Sequence, residues 1–139
     1  MFFRQILHED LGCASYLIAS RGDAVVVDPK WEIADYLTAA EEAGATIRYV
    51  LETHFHADHV SGRRRLSRVS GATECLPSDP ARPDAGGLRE GDLLTVGAVE
   101  VRVIGAPGHR PEHVAFLVSD CARNITGQAI MVDGGWTIQ

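Results

Sequence analysis

The 139 residues carry 13 basic and 19 acidic side chains, a net charge of −6, which disfavours a sequence-independent grip on nucleic acid or on an anionic membrane. A chain of this length fits one domain with one core, since folded units most often hold roughly 100–150 residues. The amino terminus turns polar at His8-Glu9-Asp10 before a signal-type apolar region forms, and no later run approaches the ~20 apolar residues of a membrane span. A soluble, cytoplasmic protein is expected. Cys13, Cys75 and Cys121 are odd in number, widely spaced and without a CxxC pair, so reduced thiols are expected rather than a disulfide framework or a cysteine zinc site.

Three β-rich runs open the chain, residues 2–7, 15–19 and 24–28, the last two separated by Ser20-Arg21-Gly22-Asp23; they predict a small antiparallel sheet. Pro29 breaks the third. Ile33, Tyr36, Leu37 and Ala40 then recur at helical spacing until Gly44 supplies a stop, which predicts a helix burying one stripe against the sheet. Residues 47–52 read as a strand, 60–70 as a short basic helix, and 93–96 with 99–104 as a hairpin turning at Gly97-Ala98. Residues 77–91 hold three prolines and three glycines and are expected as a long surface loop. The elements alternate as an α/β fold. The cluster Arg63, Arg64, Arg65 and Arg68 could form a phosphate-binding patch, but a solvated helix face is the commoner explanation of such a run and no role is assigned to it.

The chemistry concentrates after the strand at 47–52. His54, His56, Asp58 and His59 fall within six positions, and imidazole and carboxylate suit zinc, iron or manganese. Two histidines at i and i+2 on an extended segment project to one side and can meet a single ion; Asp58 and His59 then face a neighbouring position. Further on, the apolar run Val103-Ile104 enters the turn Pro107-Gly108-His109. Such a tripeptide is weak evidence alone, but beside the first motif His109 is a natural third nitrogen ligand. Three imidazoles on one ion leave an open position for water, whose pKa zinc lowers to near 7, and that is hydrolytic chemistry.

The pair of motifs, HxHxDH followed about fifty positions later by PGH, resembles the metallo-β-lactamase superfamily. The segments 11–16, 26–29, 52–54 and 107–113 look like its glyoxalase II and persulfide dioxygenase group, over residues 1–120. The resemblance implies the N-terminal half of an αββα sandwich. It also implies that His54, His56 and His109 bind one metal and that Asp58 and His59 help bind a second and carry the catalytic role; Asp28, at the end of its strand, either stands behind the ligands or is a polar turn residue beside Pro29. Zinc, one or two ions per chain, is the implied cofactor, with iron or manganese as alternatives. For the iron dioxygenases the matching ligands are His54 and His109 with a later aspartate.

The pattern breaks after residue 120. Where the family places a ligand aspartate stands Ile125-Thr126-Gly127-Gln128, an amide and a much weaker ligand, with Asp133 as a nearby substitute. Residues 121–139 instead resemble the carboxyl end of short-chain dehydrogenases/reductases, which implies a chimera whose tail forms a strand over 125–132. Nicotinamide chemistry is not expected: no glycine-rich dinucleotide loop opens the chain, and neither Tyr16 nor Tyr36 has a lysine four positions later.

The leading expectation is a metal-dependent hydrolase of a small-molecule ester, thioester or phosphoester, acting through metal-bound hydroxide. An iron-dependent persulfide dioxygenase and a metal-binding but idle fragment are the alternatives. Half a sandwich is also expected to leave bare an inner sheet face formed by alternate residues of 16–18, 25–27, 50–51 and 101–103, and so to pair as a homodimer. The competing expectation is a monomer in which residues 114–132 fold back over that face.

Overall fold

The computed structural model describes residues 1–8, 13–57, 59–79, 81, 87–120 and 130–132. Three strands open it, β1 (Phe2–His8), β2 (Cys13–Ser20) and β3 (Asp23–Val27), paired antiparallel in that order. Helix α1 (Ala34–Glu42) carries the chain across to β4 (Thr46–Leu51), and α2 (Arg63–Ser70) to β5 (Thr73–Cys75). Both returning strands pair parallel to their neighbours, β4 with β3 and β5 with β4, as a helical crossover requires. A second, antiparallel sheet has the order β6 (Leu93–Val96), β7 (Val99–Gly105), β8 (Val114–Asp120) and β9 (Ile130–Val132).

The burial of each strand follows from what covers it. Strand β2 is buried at six consecutive positions, Ala14 to Ala19, because both of its faces are covered. Leu17, Ala19, Val26 and Val50 meet Tyr36 and Ala39 of α1 and Leu66 of α2 on one side. Tyr16, Ile18, Val25, Val27 and Leu51 meet Val101, Val103, Phe116 and Val118 of the second sheet on the other. Strand β7 instead alternates, Val99, Val101 and Val103 buried with Arg102 exposed, as a strand covered on one face does. The layers are helix, sheet, sheet, the α/β half-sandwich expected. Each fully buried valine, leucine or phenylalanine contributes roughly 1.5–3 kcal/mol before entropy is charged against it.

This packing corrects one expectation. The inner face thought to be bare is buried within the chain: Tyr16, Ile18, Val25, Val27, Leu51, Val101 and Val103 are at most 7% exposed. Val50 points the other way, toward the helices. The reason for expecting a homodimer is thereby removed. The covering comes in part from β8, a strand the sequence reading left unassigned, whose Val114, Phe116 and Val118 enter the inner core. That accords with the fold-back alternative.

Smaller differences have local causes. Helix α2 begins at Arg63 rather than at residue 60, after Gly62 as N-cap; a side chain at Gly62 would collide with the Lys30 carbonyl, so this approach demands glycine. Strand β5 was not anticipated, being three residues long and partly polar. The tail strand expected over 125–132 is described at 130–132, where it pairs with β8; the rest of it, with Cys121, Gln128 and Asp133, lies outside the described residues. Of the loop 77–91, the described part includes a bridge between Pro77 and Leu88.

Candidate metal centre

Strands β3 and β4 end side by side, and each hands its last side chain to the site. Asp28 follows β3 with a left-handed backbone, φ 50°, which aspartate tolerates better than most residues but which still costs energy. Its amide donates to the Leu51 carbonyl, 2.9 Å. Its carboxylate, 3% exposed, accepts three bonds: Oδ1 from the Thr53 amide at 2.7 Å and from His56 Nε2 at 3.1 Å, and Oδ2 from the Thr53 hydroxyl at 2.7 Å.

These bonds assign the histidine tautomers. The Thr53 hydroxyl has one proton, and it points to Asp28. Toward His54 Nδ1, 2.9 Å away, the same oxygen can only accept, so His54 carries its proton on Nδ1 and offers the Nε2 lone pair. His56 is arranged in the opposite sense. Its Nε2 lies 3.1 Å from Asp28 and 3.0 Å from Glu52 Oε2, so that nitrogen keeps its proton and Nδ1 is the one left to coordinate. Burial pushes the Glu52 carboxyl up. In His56 burial opposes the charged form, but bonds to Asp28 and Glu52 and their charges raise it to about 10. We place the shared proton on His56. Burial, with His56 beside it, lowers His54 to about 4 and keeps it neutral, as a ligand must be.

All six histidines of the chain lie in one connected group. From His54 the ring centroids of His56, His109 and His113 stand 4.1, 5.0 and 4.8 Å away. His56 is 4.4 Å from His59, and His59 is 6.3 Å from His8. The two loops that carry the group are tied together by Glu112. Its Oε1 accepts from the Phe55 amide and from Arg110 Nε, each at 3.2 Å, and those bonds outweigh desolvation to hold its carboxyl below the usual range. Val114 N donates to the Thr53 carbonyl at 2.9 Å beside it.

The structure therefore brings together four of the five expected ligands, His54, His56, His59 and His109; Asp58 lies outside the described residues. Asp28 takes the supporting place the resemblance implied. Sequence reasoning missed Glu52, Glu112, His113 and His8. The signal for Glu52 was an acidic residue ending an apolar strand directly before the histidine motif, four positions from His56. His8 binds Ser15 Oγ at 2.6 Å, and Ser15 binds the Tyr36 hydroxyl at 2.5 Å, a polar thread between distant strands that no local pattern marks.

The donor set suits a transition metal: His54 is neutral with its tautomer fixed, and His56, protonated without an ion, would give up its Nδ1 proton on coordination while Asp28 and Glu52 keep the one on Nε2. Asp28, Glu52 and His56 also place one ligand atom each within 4.8 Å of one another and could hold an ion themselves. Their oxygens are already committed, those of Asp28 to Thr53 and His56 and Glu52 Oε1 to the Ser61 hydroxyl, so we read that triad as the support of the histidine group.

The family model for the metallo-beta-lactamase superfamily matches residues 8–127. A hydroxyacylglutathione hydrolase of Cereibacter sphaeroides is 40% identical over 119 residues, 84% of this chain and 46% of that protein. The mitochondrial persulfide dioxygenase ETHE1 of Homo sapiens is 29% identical over 143 residues, 92% of this chain and 52% of that protein. Among solved structures, a metallo-beta-lactamase from Staphylococcus aureus superposes with a TM-score of 0.83 at 31% identity, covering 96% of this chain and 42% of that one. ETHE1 from Myxococcus xanthus gives 0.76 at 30%, covering 85% and 54%. The chain spans about half the length of the curated relatives it matches. The family match continues past residue 120, and these findings lend no support to a dehydrogenase-like tail or a chimera. Among the described residues no helix is long and apolar enough to cross a membrane. With the paired histidine motifs and the two-sheet fold of the described residues inside the family match over residues 8–127, the chain belongs to the metallo-beta-lactamase superfamily.

Proposed function

We propose that the chain is the metal-binding part of a thioester hydrolase, with His54 through Nε2, His56 through Nδ1 and His109 holding one ion and Asp58 and His59 serving a second position and the catalytic role. The observation that carries this reading is the Asp28 carboxylate, which sets complementary tautomers on two imidazoles packed beside a third. Relatives named hydroxyacylglutathione hydrolase, 40% identical, support a thioester ahead of other esters. Zinc is the preferred ion; when bound it supplies Lewis acidity and an acidified water. The chain's own part is to keep His54 neutral, to aim His54 and His56 through Asp28 and Glu52, and to hold the two ligand loops in register through Glu112. If Gln128 stands in the ligand position the family fills with aspartate, Gln128→Asp raises metal occupancy; if it does not, Asp133 is the next residue to replace.

The test is elemental analysis of the purified chain together with hydrolysis of a hydroxyacyl thioester of glutathione and oxygen consumption with a persulfide. Thioester cleavage at full zinc occupancy supports the proposal. Oxygen uptake with iron would replace it by the second reading, a persulfide dioxygenase, which the ETHE1 relatives favour. No turnover of either kind at full occupancy would leave an idle metal-binding unit. A cytoplasmic location is proposed with the hydrolase reading, and cell fractionation checks it. A homodimer has lost its ground in sheet burial, so light scattering is expected to give a mass near 15.0 kDa, independent of concentration.

A further inference from the structure

The four arginines of α2, first read as one solvated face, have different surroundings. Arg63 is half-buried, its Nη1 2.9 Å from Glu74 and its Nε 3.8 Å from Glu52. Arg65 stands over the Trp31 ring, 5.3 Å from its centroid, with Nη1 3.5 Å from the Trp31 carbonyl. Arg68 occupies the last turn of the helix, where a cation faces the negative end of the helix dipole. Arg64 is exposed and, among the described residues, has no ion pair.

A cavity of about 410 Å³ runs from Arg63 and Arg64 to His54 and His56. Its remaining wall is formed by the apolar Trp31, Phe55, Val60 and Leu76 with Ser61 and the buried Glu52, whose carboxylate faces Ser61, His56 and Arg63. Trp31 is 49% exposed and Val60 68%, so large apolar side chains are left open to water beside a cation that has no ion pair among the described residues. Arg65 holds Trp31 at the rim. A hollow with apolar walls and a few convergent charged groups, Arg64 exposed among them, opening onto a cluster of metal-type ligands, is the form of a site for a small organic molecule. The charges of Arg63 and His56 face Glu74, Glu52 and Asp28, which leaves Arg64 as the cation of this lining with no ion pair among the described residues. A guanidinium matches the two oxygens of a carboxylate better than any neutral group.

We propose that this cavity binds the apolar body and carboxylate end of an organic anion, and that Arg64 is the residue selecting acidic substrates over neutral ones. This rests on the hydrolase reading only for which end of the molecule reacts; the binding needs no turnover. The probes are N-acetylphenylalanine and its neutral amide, titrated by nuclear magnetic resonance into the full chain, zinc-loaded and zinc-stripped. The acid is expected to bind roughly ten-fold tighter than the amide in both forms. Arg64→Gln brings that ratio to near one, Arg64→Lys keeps part of it, and Arg68→Gln leaves it unchanged. A preference that survives in Arg64→Gln, or no preference in the unaltered chain, overturns the proposal. So does a preference that disappears with zinc while persisting in Arg64→Gln, because the metal would then be the anchor. If the chain takes up no zinc yet prefers the acid through Arg64, the cavity assignment stands and the hydrolase reading falls.

Discussion

Strands β3 and β4 run parallel from one end of the sandwich to the other, and the two ends are built differently. At the end where they begin, the backbone closes on itself: Arg21 and Gly22 turn with φ of 48° and 87°, and Thr46 N donates to the Gly22 carbonyl at 2.8 Å. Gly97 sits so close to the Ser20 carbonyl that a side chain would collide with it. At the end where the strands finish, side chains replace the backbone. All eight buried polar or charged residues among those described, His8, Ser15, Asp28, Glu52, Thr53, His54, Glu112 and His113, lie there. Burying such groups costs stability unless every partner is in place, and only this end meets the cost. Stability resides in the closed end and the two cores, whereas the open end exchanges some of it for placement of ligands.

The comparison can be broken by substitution. The largest effect is expected at the ligands: His56→Ala or His109→Ala should lose bound metal and any turnover together, and unchanged metal content in both variants would refute the assignment. Next comes Asp28→Asn. Removing a carboxylate that orients metal ligands typically costs 10–100-fold in metal affinity, so a chelator competition assay should show a loss of that order. At the closed end Gly97→Val should do the reverse, lowering stability by about 1–3 kcal/mol through the clash and the positive φ of 60° while leaving metal affinity within two-fold. Denaturant melts of the metal-free chain decide; equal stability in Gly97→Val would remove the distinction between the ends.

The last expected effect is felt only at alkaline pH. Burial pushes the Tyr36 hydroxyl from its ordinary 10.0 up to about 12. The folded state therefore holds this proton more tightly than the unfolded chain, so the contribution is fully present below pH 10 and is lost as pH rises through 12. It amounts to on the order of 2–3 kcal/mol. Tyr36→Phe should flatten that alkaline limb, and an unchanged slope between pH 10 and 12 would show that Tyr36 is not its source.

Apolar periodicity revealed the cores because it is a local signal. The stripe of Ile33, Tyr36 and Ala40 and the unbroken run of β2 each declare a covered face within a few residues. The ligand histidines were legible for the same reason, being dense and adjacent to a strand end. Two things were not. That the second sheet would cover the first depends on β8, whose partners lie far from it in sequence. Glu112 looks like an ordinary turn residue until the fold brings it to the Phe55 amide, 57 positions away. The assumption of a bare sheet face treated the resemblance to half a fold as though half a fold had half a core.

The bonds of Asp28 have a consequence for additivity. Thr53 passes the influence of this carboxylate to His54, while His56 receives it directly. Thr53→Val therefore severs one branch and Asp28→Asn severs both, so the double variant should bind metal no more weakly than Asp28→Asn alone. In a double-mutant cycle the coupling between the two positions should equal the whole effect of the threonine. Two ligands that share one orienting group are in this sense a single heritable unit, and neither histidine can be re-aimed without disturbing the other.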